Sequence, residues 1–360
     1  MSDEIFYRLR DVLDSMPNGF PPAADGLEIR ILKKIFSEEE AAVAVSMKMK
    51  FETADDMAGR TGKDATYLKV KLREMTDKGQ IFGATIDGVD IYKLVPFIFG
   101  IYEYQVKRLD GELARMTEQY LLNEFGVQFA GTPPSLMKVV PVEQEIPHGS
   151  VIEPYESLKK LIENGKSWAV EECICKKEKR LVGEGCDNPL EVCLGIAPLE
   201  NFFDTWFWGR SITKDEALAV LKKAEDAGLV HMTSNRREGH VYICNCCGCC
   251  CGILRGINEL GIIGSVAHSN YKAVVDPELC TSCEACLERC QVRAIDMNDV
   301  AAVNERCIGC GLCASVCPAA AIRLVRRDEG DIAYVPVDEK EWMSERAKSR
   351  GRDDYKELLK

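Results

Sequence analysis

The residues of this 360-residue chain best suited to chemistry are its 18 cysteines, none of which precedes Cys173. Two runs near the carboxyl end share one spacing: Cys280-x2-Cys283-x2-Cys286-x3-Cys290, then Cys307-x2-Cys310-x2-Cys313-x3-Cys317-Pro318. Each cysteine of the second run lies 27 residues after its counterpart, and Ala294-Ile295 returns as Ala321-Ile322, so the segment is an internal duplication. Three thiolates at this spacing wrap one corner of an iron–sulfur cube on a tight loop, while the fourth must come from a distance. In a duplicated unit the fourth crosses over. Zinc modules use ligands in paired knuckles, a different pattern. Gly309-x-Gly311-x-x-Ala314 matches a loosened dinucleotide fingerprint by accident, since no strand leads into it and cysteines interrupt it.

The other ten thiols form two bursts, Cys173-x-Cys175-x10-Cys186-x6-Cys193 and Cys244-x-Cys246-Cys247-x-Cys249-Cys250-Cys251. Adjacent cysteines are too crowded for independent disulfides, and thiols left free at this density oxidise or scramble. Metal ligation is the expected use of all ten, with redox or structural thiols as the alternative. By count they suffice for at least one further iron–sulfur cluster, with cysteines to spare. Lys176, Lys177, Lys179 and Arg180 offset thiolate charge or dock an acidic partner on one reading, and form a solvated basic face on the commoner one.

The elements that must position these residues are legible from caps and periodicity. Residues 1–26 read as an arm ending in the turn-rich Asn18-Gly19-Phe20-Pro21-Pro22 and are given no fold. Residues 27–105 read as helices, capped by Ser37 with Glu40 and by Thr53 with Asp56, followed by a hairpin turning at Asp87-Gly88. That order resembles a winged-helix domain. Its second turn helix carries Lys69, Lys71 and Arg73 among acids, which favours protein docking or a structural role over DNA. Residues 106–150 are a connecting helix and linker, the helix expected over residues 103–125. A Cys-rich α/β middle domain spans 151–268, with a helix capped by Thr213 and Glu216. Phe202-Phe203 and Trp206-Phe207-Trp208 are core aromatics by default. A duplicated 269–330 segment and a charged surface or docking helix over 331–360 complete an α+β, multidomain chain.

The duplicated segment resembles a bacterial-type dicluster ferredoxin. The resemblance implies two [4Fe-4S] clusters, one held by Cys280, Cys283, Cys286 and Cys317, the other by Cys307, Cys310, Cys313 and Cys290. Gln291 departs from the family, which often has proline after the fourth cysteine. The Cys246-Cys247-Gly248 stretch looks loosely like the cysteine motif of heterodisulfide reductase catalytic subunits. In total arrangement the chain resembles the multidomain iron–sulfur proteins of anaerobic bacteria and archaea. A single-electron carrier, or an electron-transfer subunit of an oxidoreductase complex, is therefore expected. Alternatives are a reductase of thiol or disulfide substrates at the middle-domain cluster, with Cys244 to Cys251 at its centre, and a redox-sensing regulator. A net charge of -12 argues against nucleic acid as the main partner. No apolar run approaches the roughly 18 residues of a membrane helix, and acids occupy the place of a secretory signal's positive charge, so a cytoplasmic location is expected. Nucleotide-loop, zinc-protease and nucleophile-elbow motifs are absent, and no catalytic residue is assigned.

Overall fold

The computed structural model describes residues 3–146 and 152–360; the expected start of the middle domain at Val151 falls outside them. The arm contains a helix, α1 (Glu4–Ser15), which buries Phe6, Leu9 and Leu13. Asp3 stands at its N-cap but makes no side-chain capping bond, and the apolar spacing carries the helix.

The head follows as α2 (Leu27–Ile35), α3 (Glu38–Val45), α4 (Ala54–Thr61) and α5 (Ala65–Asp77). Both expected capping boxes form: Glu40 N–H donates to Ser37 Oγ and Asp56 N–H to Thr53 Oγ1, each carboxylate accepting from the cap's own N–H. Strands β1 (Phe82–Ile86) and β2 (Val89–Lys93) pair antiparallel through a two-residue turn with positive φ at Asp87 and Gly88. Such a turn matches the twist of the strands it joins. A buried connection over Val95–Tyr102 leads to a short α6 (Tyr102–Tyr104).

The continuous helix expected over residues 103–125 is broken. Asp110 accepts from the N–H groups of Glu112 and Leu113 and starts a new helix, α7 (Gly111–Leu122), followed by α8 (Glu124–Gly131). The local cap outweighed the apolar periodicity.

Six antiparallel strands build the middle sheet in the order β3-β7-β8-β5-β4-β6. They are β3 (Met137–Val140), β4 (Ser167–Glu172), β5 (Glu191–Ala197), β6 (Arg210–Ile212), β7 (Val230–Ser234) and β8 (Tyr242–Cys246). Helices α9 (Leu158–Asn164) and α11 (Lys214–Asp226) pack on this sheet, whereas α10 (Ile174–Leu181) leaves the end of β4 and α12 (Gly252–Asn258) follows β8. Trp206 lies in an aromatic cluster with Phe82, Tyr104, Phe202 and Phe203, joining the head hairpin to the sheet.

In the tail, β9 (Tyr271–Val275) pairs with β12 (Ile322–Arg326), and β10 (Ile295–Met297) with β11 (Ala301–Val303); α13 (Ala285–Arg289) lies between. The final helix α14 (Glu339–Ser349) folds back on its own chain. Arg346 is fully buried and donates to the carbonyls of Pro17, Phe129, Thr132 and Pro134, and Arg350 bonds Asp14. Burial is the first cause that pushes Arg346 down, to about 9. Among the described residues no helix is long and apolar enough to cross a membrane.

Candidate metal centres

The duplication of the tail is a duplication of backbone conformation. Positive φ occurs at Ser282, Glu284 and Arg293 and again, 27 residues on, at Gly309, Gly311 and Ala320. These kinks curl each cysteine loop inward. At Gly309 no side chain is possible, because a Cβ would lie 2.0 Å from the Tyr271 carbonyl oxygen. The repeated Ala-Ile pair has a matching role: Ala294 N–H donates to Cys290 Sγ at 3.2 Å and Ala321 N–H to Cys317 Sγ at 3.3 Å. Ile295 and Ile322 pack beneath in the core.

Two cavities result. Cys280, Cys283, Cys286 and Cys317 line one, with Met297, Ala301 and Ile322 as apolar walls. Cys290, Cys307, Cys310 and Cys313 line the other, walled by Val292, Ile295, Val303 and Leu312. Each quartet takes three cysteines from one run and the last from the other. The first lies at the surface, with Cys283 exposed; backbone N–H groups of Ala301 and then Ser282 hold Cys280 below the usual thiol range. The second faces inward, and burial pushes Cys310 up to about 12. Thiol donors, apolar walls and amide N–H groups aimed at sulfur fit an iron–sulfur cube.

In the middle domain, chain direction does the gathering. β4 and β8 run antiparallel to β5, so the ends of β4 and β8 meet the start of β5. That puts Cys173 after β4, Cys193 on β5, and Cys244 and Cys246 on β8 at one end of the sheet. With Cys175 on α10 and Cys251 they form a chain of sulfur contacts: 175 to 173, 173 to 193, 193 to 244, 244 to 246, 246 to 251. Cys173 is held well below the usual thiol range, first by the thiols of Cys175 and Cys193 that donate to it, and the other five are raised.

The other four middle-domain cysteines form a second group that shares a buried cluster with Cys173 and Cys193. Sγ of Cys186 lies 3.8 Å from that of Cys247 and 3.6 Å from that of Cys250, which lies 3.7 Å from that of Cys249. Hydrogen bonds from Cys250, with Lys176 a lesser influence, take Cys247 down to about 5. The pairs Cys246-Cys247 and Cys250-Cys251 are therefore each divided between the two sets, which accounts for their adjacency.

The basic run after Cys175 is a solvated face only in part, with Arg180 exposed and Lys177 half-buried. Lys176 is 1% exposed and donates to the Asn245 carbonyl, while Lys179 joins Arg255 on Glu118, tying α10 and α12 to α7. Burial alone would raise Glu118, but Arg255 and Lys179 bring it to about 2. Three residues that sequence reasoning passed over or set aside join the middle domain to the tail. Gly248 N–H donates to Gln291 Oε1 at 2.8 Å, and Asn258 Nδ2 donates to the carbonyls of Gly248 and Gln291. A Cβ on Gly248 would lie 2.0 Å from the Gln291 carbonyl oxygen. The family departure at Gln291 was the available signal, since proline offers no such acceptor.

These features define a ferredoxin-type tail: residues 273–296 and 302–323 match the 4Fe-4S binding domain family. Over 83 residues, 22% of this chain, the sequence is 39% identical to Hydrogenase-4 component A of Escherichia coli, covering 40% of that protein. Over 85 residues, again 22% of the chain, it is 36% identical to an uncharacterized ferredoxin of Methanocaldococcus jannaschii, covering 49% of it. The chain thus spans less than half the length of either relative. No solved structure matches.

Proposed function

We propose that the chain is an electron-transfer iron–sulfur protein, or such a subunit of an oxidoreductase complex, with an outer cluster on Cys280, Cys283, Cys286 and Cys317 and an inner one on Cys290, Cys307, Cys310 and Cys313. The observation that carries this reading is the pair of apolar cavities, each lined by four thiols, with an amide N–H bonded to the crossing cysteine. When bound, a [4Fe-4S] group supplies a one-electron store of low potential. The chain's own part is to exclude water with Ile295, Leu312 and Ile322, and to stabilise sulfur charge through Ala294 and Ala321 N–H.

A redox partner docks at the outer quartet, where Leu279 and Leu287 are exposed beside Glu278, Glu284 and Glu288. That mixture suits a partner face with apolar and basic residues. Electrons continue from the inner quartet to the middle domain across the Gly248–Gln291 contact, one residue from Cys290 and one from Cys247. The winged-helix-like head serves protein contacts, since Lys69 pairs with Asp55, Lys71 with Glu39 and Glu74, and Arg73 with Asp77. Cations already neutralised in this way are poor phosphate ligands.

The test is iron and sulfide analysis of anaerobically purified full-length protein, with electron paramagnetic resonance after reduction. Cys317→Ser should abolish the outer-cluster signal and Cys290→Ser the inner one, each with a loss of about four irons. Iron-free protein that remains folded would refute the reading.

A further inference from the structure

We infer that Cys186, Cys247, Cys249 and Cys250 bind one tetrahedral divalent metal ion, zinc or mononuclear iron, at a site separate from any iron–sulfur cluster. The evidence is the size of the thiol tetrahedron. All four Sγ atoms lie within 4.8 Å of one another, with 3.8, 3.6 and 3.7 Å separations along three edges. Four thiolates about 2.3 Å from one tetrahedral ion stand about 3.8 Å apart. A cube separates its thiolates far more, to about 6 Å, because each sulfur lies outside its own iron.

The same chain supplies the contrast. Among the described residues, no other group of histidines, cysteines or acids draws together in this way. The tail quartets instead line apolar cavities, and their sulfurs form no such tight group.

The surroundings hold the four thiols in place. The Arg180 guanidinium donates to the carbonyls of Cys186 and Asn188 and shapes the loop after α10, and Asn188 Nδ2 donates to Cys186 Sγ at 3.3 Å. On the other side, Cys251 N–H donates to the Cys247 carbonyl and closes the turn that carries Cys247, Cys249 and Cys250. An ion here would displace the thiol protons to solvent and fasten a loop to a turn more than 60 residues away, a closure the chain would otherwise bear as entropy. Cys249 is exposed, so one corner of the site meets solvent and leaves a path for metal entry.

This goes beyond the electron-transfer reading and shares with it only the reduced state of the thiols. The experiment is metal and acid-labile sulfide analysis of full-length protein purified without oxygen. The unaltered chain should hold one zinc or iron in excess of the iron matched by sulfide, and this count needs no variant. Cys186→Ser and Cys249→Ser should each lose that one ion and keep their sulfide. Sulfide falling together with several irons in these variants would overturn the inference, as would an unaltered chain with no excess ion. Zinc in the excess equivalent makes the site a structural fastener, whereas iron makes it a one-electron site; both accord with the inference. Failure of the electron-transfer reading is distinguishable, because it appears as missing sulfide in the unaltered chain while the excess ion stays.

Discussion

Gln291→Ala tests the junction between the middle domain and the tail. The carboxamide oxygen accepts from Gly248 N–H at 2.8 Å, and the substitution leaves that partly buried donor without a partner while the Gln291 main chain still accepts from Asn258. An unsatisfied donor of this kind costs about 1–2 kcal/mol. Asn258→Ala removes one further bond across the same contact, to the Gln291 carbonyl, and one inside the middle domain, to the Gly248 carbonyl, for roughly 2 kcal/mol together. Because both changes act on one network, the double variant should lose less than the sum, with a coupling of about 0.5–1 kcal/mol. The assay is anaerobic chemical denaturation followed by two probes. All four tryptophans, at 168, 206, 208 and 342, lie outside the tail, so fluorescence reports the body, and amide exchange of residues 271–326 at each denaturant concentration reports the tail. In Gln291→Ala the tail transition should move to lower denaturant and separate from the body transition. A change under about 0.3 kcal/mol with zero coupling to Asn258→Ala would refute the junction as an energetic contact.

Three further outcomes are expected. Glu118→Gln should destabilise the docking of α7 on α10 and α12 by about 2 kcal/mol, less than the roughly 3–5 of a fully enclosed pair because Glu118 keeps one edge in water. With the carboxylate depressed to about 2, its contribution is present above pH 4.5 and lost as pH falls toward 2; Glu118→Gln should flatten that part of the acid dependence of amide exchange in residues 111–122. Arg346→Met removes the donors of four main-chain carbonyls and should cost about 3 kcal/mol in denaturant titration, with α1 and α14 losing exchange protection together. Gly309→Ala forces a side chain against the Tyr271 carbonyl at positive φ and should cost about four irons and the inner signal while sparing the outer one, as read by iron analysis and paramagnetic resonance.

What the amino-acid order determined by itself was local. Capping boxes at Ser37 and Thr53, the two-residue hairpin turn and the duplicated cysteine loops each involve a few consecutive residues, and their hydrogen bonds and kinks form within that span. The broken helix at Asp110 was equally local, with a cap and a periodicity in conflict over the same residues. Tertiary structure decided how the ten middle cysteines divide. Antiparallel strands bring Cys193 beside Cys244, the loop after α10 carries Cys186 across to Cys247 and Cys250, and neighbours such as Cys246 and Cys247 part company. Spacing cannot encode that division, because the partners are dozens of residues apart and the sheet register sets their meeting. The burial of Lys176 and Arg346 was hidden for the same reason. A charged side chain reads as solvated until the carbonyls that satisfy it arrive from elsewhere in the chain.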